Sequence, residues 1–251
     1  MQAISQATES MGRTQARFLS GALVFGPFFV MAFGLGYPTL NRYEPARVNG
    51  VSDAGDYADL IVASPRAVEG KLRYRVLVPY VAKPFYWMAR GWLKTWDPVY
   101  FGLLVANAFF TATTAFLLFM AGRRCGGNRA VALVASCLFL LNFNTANWWL
   151  AELVDSGEGC ALMLLTWALL SRRWRLLPIG GALGAFAKES FVPLAVVYVA
   201  VWWLSGERTG KGSWSTAVGR RDGNYRCWHV GWGSIAYRRT IAATLAIRDR
   251  R

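Results

Sequence analysis

Opposite charges crowd one short stretch of this chain. Asp53, Asp56 and Asp59 lie in VSDAGDYADL, and Lys71, Arg73 and Arg75 follow in GKLRYRV. An aspartate beside a lipid interface can serve as a general base toward a hydroxyl, or help hold a divalent cation. Arginine and lysine can clamp a phosphate, arginine through two parallel hydrogen bonds. Two later groups extend the set. Glu152, Asp155 and Glu158 are spaced by three, so they share one helical face. They also stand near a helix start, where the backbone dipole favours carboxylates. Lys188 and Glu189 adjoin each other inside an otherwise uncharged stretch from Leu176 to Gly206. Each group has a plainer reading. Aspartates in a glycine-containing loop serve as solvated turn formers, and carboxylates at a helix start cap it. Spacing alone does not choose between these readings.

The elements that must position these charges are read from the apolar runs. The 251 residues are 55% hydrophobic and 17% charged, against a globular average of about 25% charged. Mean hydropathy is +0.27. Long uncharged runs within that average predict an all-α fold, a polytopic transmembrane helical bundle. The net charge of +14 is then explained by cytoplasmic retention of Lys and Arg and by contact with membrane lipid head groups, not by nucleic acid. Cys125, Cys137, Cys160 and Cys227 show no CxxC spacing, and His229 is the only histidine. Neither a disulfide framework nor a protein metal site is expected.

Taken in order, the run from Phe18 to Gly36 is longer than a signal-peptide core and reads as a retained first helix, with Gly26-Pro27 as a kink. Residues 38–97 form an outer loop. Within it, Leu77, Val78, Val81, Phe85, Met88 and Trp92 recur at spacings of three and four. They predict an interfacial amphipathic helix over 75–96, with Tyr80, Tyr86, Trp87, Trp92 and Trp96 as an aromatic belt. Pro98 to Gly122 and Ala130 to Ala151 are two uncharged spans, with Arg123, Arg124 and Arg129 between them. A further helix begins near Leu153 and ends at Arg172, Arg173 and Arg175. Leu176 to Gly206 reads as two short helices turning back at Ala187–Ser190; one tilted helix with an inward Lys–Glu pair is the alternative. About six membrane segments result, two of them short, in a domain spanning 1–206. Residues 207–251 form a basic tail, either a cytoplasmic segment touching anionic lipid or a frameshifted extension. The charge bias puts the N-terminus inside and 38–97 outside, although that loop carries nine Lys and Arg; long loops follow the rule weakly.

With SDAGDYADL in the first outer loop, RYRVLVPYVAKPF at an interfacial helix and GGALGAFAKESFVPL across two short helices, the chain resembles the membrane-embedded (C-type) glycosyltransferase superfamily. The resemblance covers roughly residues 15–205. It implies a bacterial inner-membrane enzyme taking a sugar from a polyprenyl-phosphate donor, with Asp53 or Asp56 as the base. It also implies that Arg73 and Arg75 match the basic element and Lys188-Glu189 the charged turn. Asp155 and Glu158 would edge the substrate cavity, and a divalent cation is a conceivable cofactor. The chain departs from the family in length, with about six helices, so a truncated or inactive fragment is one expectation. The competing readings are a transporter, with Lys188, Glu189 and the 152–158 face lining a path, and a non-catalytic membrane subunit.

Overall fold

The computed structural model describes residues 19–38, 53–63, 70–150 and 153–208. All regular structure among them is helical. The helices are α1 (Leu19–Pro38), α2 (Ala54–Val62), α3 (Leu77–Ala89), α4 (Pro98–Arg124), α5 (Arg129–Leu141), α6 (Asp155–Ser171), α7 (Leu176–Ala187) and α8 (Phe191–Arg208). A 3-10 turn over Gly70–Tyr74 leads into α3. Among the described residues two helices, α1 and α4, are long and apolar enough to cross a membrane.

Helix α4 organises the rest. Asp97 caps it by accepting a hydrogen bond from the Val99 N–H (2.7 Å), with Pro98 at the first helical position. Arg123 and Arg124 close its last turn, where the helix dipole favours cations. Helix α1 runs antiparallel to it. Phe25 packs edge-on against Phe109 and Phe116, while Phe33 meets Phe101. Helix α5 is antiparallel as well: Gly122 faces Ala132, and the Ser136 hydroxyl donates to the Ala115 carbonyl (2.9 Å). Helix α6 runs parallel to α4, since Ser156 meets Asn107 and Arg124 Nε donates to the Leu170 carbonyl. Helix α7 returns along α6, with Gly180 against Leu165 and Ala187 beside Gly157.

This alternation gives the bundle two unlike poles. Arg123, Arg124, Arg129, Arg172, Arg173 and Arg175 gather at one, where four helix ends meet. At the other lie the α7–α8 break, the starts of α3 and α6, and Asp53. Outward faces are strongly apolar. On α8, Val192, Leu194, Val196, Val197, Val201, Trp203 and Leu204 are all exposed, as are Val131, Val134, Leu138 and Leu141 on α5. A helix apolar on every side suits lipid or a partner helix, not water.

Three expectations need correction. The uncharged run 130–151 is not one clean span. Asn142 adopts an extended backbone, its side chain accepts from the Asn144 N–H, and a wide turn over Thr145–Trp149 completes the passage. Asparagine competes for backbone partners and so interrupts helices. The interfacial helix covers 77–89, not 75–96. Its Val78, Pro79, Ala82 and Ala89 are buried in the bundle, while Met88 and Trp92 point outward. Of the expected six or so membrane segments, two of them short, only α1 and α4 among the described residues are long and apolar enough to cross, α5 and α7 having 13 and 12 residues. The stretch 176–206 does divide into two helices at Lys188–Ser190, with α8 continuing to Arg208. The amino-terminal 18 residues, Glu152 and residues 209–251 lie outside the described residues, and with them the basic-tail expectation.

Candidate functional site

Arg75 lies in the two-residue link between the 3-10 turn and α3, with only 8% of its surface exposed. A buried guanidinium must be paired and hydrogen-bonded to persist. Its Nε and Nη2 donate to the two carboxylate oxygens of Glu189 at 2.8 and 2.5 Å, the fork geometry particular to arginine. Its Nη1 donates to the Tyr57 hydroxyl at 3.0 Å and stands 3.7 Å from the Asp53 carboxylate. Glu189 therefore holds the guanidinium more firmly protonated than an ordinary arginine, against the opposing effect of burial. Tyr57 lies on the buried face of α2 with Leu60 and Ile61. Burial pushes its hydroxyl above the usual tyrosine range, and the Arg75 contact offsets part of that rise.

Lys188 precedes Glu189 at the α7–α8 break but reaches a different wall. Its ammonium pairs with Asp155 and lies 3.9 Å from Glu158, both in the first turn of α6. The Ser190 hydroxyl donates to Glu158 at 2.7 Å. Three consecutive residues thus tie the break to α3 on one side and to α6 on the other. The extended backbone of Lys188 sends neighbouring side chains in opposite directions, as in a strand. Glycine at 157 is required by this approach, because an added Cβ would sit 2.9 Å from a Val78 methyl.

Below the ion pairs lies a buried polar seam. The Ser156 hydroxyl donates to Asn107 Oδ1 at 2.5 Å between α6 and α4. Asn107 Nδ2 and Thr111 Oγ1 are buried without a hydrogen-bond partner. Asn107 is nine residues into α4, so this seam lies about 14 Å along that helix from its start and about 26 Å from the arginine pole.

The predicted site residues separate accordingly. Asp53, Arg75, Asp155, Glu158, Lys188 and Glu189 converge on one pole. Asp56 is half-buried on the first turn of α2, and no described cation reaches it. Arg73 is exposed, stacked over the Tyr74 ring at 4.6 Å and donating to the Tyr74 hydroxyl, away from the cluster. Arg75 does not stand open to a phosphate, since its guanidinium is spent on Glu189, Tyr57 and Asp53. Tyr57, Ser190, Asn107 and Ser156 are members that sequence reasoning missed. Tyr57 sits four residues after Asp53, on the same helical face, and Asn107 is a polar side chain inside an uncharged run; both were available signals.

The cluster carries four carboxylates and two cations, all six within ion-pair reach of an opposite charge. Among the described residues no three carboxylate, imidazole or thiolate groups converge as a protein-held metal ion would require. The arrangement leaves a carboxylate, Asp53 (36% exposed), and a cation, Lys188 (25% exposed), partly open, so each can meet a polar or charged group from outside. A comparison with family models, curated proteins and solved structures finds no match to this chain.

Proposed function

We propose that this chain is an integral membrane glycosyltransferase-like protein of the bacterial inner membrane. It moves a sugar from a polyprenyl-phosphate donor to an acceptor on the extracytoplasmic side. The N-terminus and the arginine pole face the cytoplasm, in keeping with the retention of Lys and Arg there. About six membrane passages, some of them short or interrupted, make up the bundle. The observation that carries the reading is the meeting of Asp53, Arg75, Lys188 and Glu189, from segments 114 residues apart in the Arg75–Glu189 pair, at one recessed pole.

Each residue then has a defined task. The Asp53 carboxylate takes the proton of the acceptor hydroxyl as that oxygen attacks the anomeric carbon. The bond between that carbon and the phosphate oxygen breaks, and the phosphate leaves with the electron pair. Lys188 stabilises its growing negative charge. Arg75 acts as a brace that fixes Asp53 and Glu189, not as the phosphate clamp. Asp155 and Glu158 hold the Lys188 ammonium in place until the donor arrives.

The test is transfer from a labelled polyprenyl-phosphate sugar by purified protein. Asp53→Asn is expected to lower turnover by about 10²–10⁴-fold, the usual contribution of a general base. Asp56→Asn, outside the ion-pair cluster, is expected to stay within a few-fold of wild type. Full turnover by the Asp53 variant rejects the assignment. A second reading, a path for a small polar solute, is favoured by the seam of Ser156, Asn107 and Thr111 that continues the cluster into the bundle. Solute flux in proteoliposomes that is lost in Asn107→Leu, without any sugar transfer, would select it.

A further inference from the structure

Beyond Arg75, on the outward face of α3, Tyr80, Lys83, Pro84 and Trp87 line a groove of about 420 Å³. We propose that this groove binds an anionic glycerophospholipid, its phosphate at Lys83 and one acyl chain against Pro84 and Trp87. The inference rests on the membrane reading above but needs none of the transfer chemistry.

Charge is the first argument. From residue 70 to residue 96 the sequence holds six Lys and Arg and no carboxylate. Arg75 finds its partner in Glu189, yet among the described residues no carboxylate reaches Lys83 or Arg90. Both instead stand over aromatic rings of the same helix, Lys83 5.9 Å from Tyr80 and Arg90 5.7 Å from Trp87. A cation held on an aromatic face keeps its charge available to an anion on its other side. Depth is the second argument. Gly102 of α4 packs against Ala82 and Tyr86 of α3 and lies 22 residues before Arg124. The middle of α3 is therefore about 33 Å from the arginine pole, where a hydrocarbon core of about 30 Å gives way to head groups. Tyrosine and tryptophan favour that level. The backbone supplies the third. Pro84 lies inside α3 and has no N–H to offer the Tyr80 carbonyl. That carbonyl is left without its helical donor at the level of the groove.

The experiment is native mass spectrometry of the full-length chain in mild detergent, titrated with phosphatidylglycerol or phosphatidylcholine of identical acyl chains. Retention of phosphatidylglycerol is expected to exceed that of phosphatidylcholine at least tenfold. The double variant Lys83→Gln, Arg90→Gln is expected to abolish the preference, and Trp87→Ala to weaken retention of both lipids. Arg172→Gln with Arg173→Gln, at the opposite pole, is expected to leave the preference intact. Circular dichroism melting confirms that each variant is folded. Equal retention of the two lipids by wild type overturns the proposal. So does a preference that survives loss of Lys83 and Arg90, or one that disappears with Arg172 and Arg173. A chain that stays monodisperse without detergent would overturn the membrane reading instead, an outcome distinct from equal lipid retention.

Discussion

The pair of Arg75 and Glu189 offers the sharpest test of the fold, because it joins the segment before α3 to the α7–α8 break. Glu189→Gln keeps the shape of the side chain and removes its charge. Hydrogen bonds to charged groups contribute about 1.5–3 kcal/mol each, which would give about 3–6 kcal/mol for the two in this fork. The Glu189 side chain is 45% exposed, so water screens the pair and roughly half of that survives. Arg75 also keeps Tyr57 and Asp53 as partners. A loss of about 1.5–3 kcal/mol follows, or about 3–12 °C in melting temperature for a chain of this size. Thermal unfolding in detergent, followed by circular dichroism, reads it. Arg75→Met is expected to cost more, since it strands Glu189 and Asp53 together. The double variant should show a coupling of about 2 kcal/mol. Arg75→Lys supplies the control. It keeps the charge but cannot fill both carboxylate oxygens at once, so it should recover less than half of the loss. Additive single effects, within about 0.5 kcal/mol, would refute the bidentate pairing. So would an Arg75→Lys variant as stable as wild type.

Two further outcomes follow from packing and ionisation. Gly184→Ala would drive its Cβ into the Phe191 ring that closes the α7–α8 junction, whereas Gly181 has open space around it. The first is expected to destabilise by about 1–3 kcal/mol and the second to stabilise by about 0.5–1 kcal/mol, both read by melting temperature. Tyr57 is held neutral by burial, so its folded pKa lies above the unfolded value of 10.0. Stability from this group is complete below pH 10 and falls as pH rises through the folded pKa. The melting temperature should fall less between pH 8 and about 11 in Tyr57→Phe than in wild type.

Much of the helix inventory was legible in the chain because hydrophobicity is local and additive. The uncharged run Pro98 to Gly122 could only be buried or lipid-facing, and its Asp97-Pro98 start and Arg123-Arg124 end mark a helix with no tertiary help. The break at Lys188–Ser190 was legible for the same reason, since two charges and a serine interrupt an apolar stretch too long for one passage. The end of α5 was not, because an asparagine at 142 is compatible with helix until its side chain finds the Asn144 N–H. The arginine clusters marked one pole before any packing was known.

Which charges meet was another matter. Arg73 and Arg75 are two residues apart and look equivalent in sequence, yet one lies over Tyr74 in the open and the other is buried against Glu189. Asp53 and Asp56 share a short segment, and only Asp53 faces a cation among the described residues. The direction of a side chain around its axis turns by about 100° per residue along a helix. Ion pairing therefore depends on the rotation and register of elements far apart in sequence. The residue types fixed that charges would gather on one side of the bundle. Only the packing of α2, α3, α6 and the α7–α8 break decided that Arg75 is buried against Glu189 while Lys188 stays partly exposed beside Asp155.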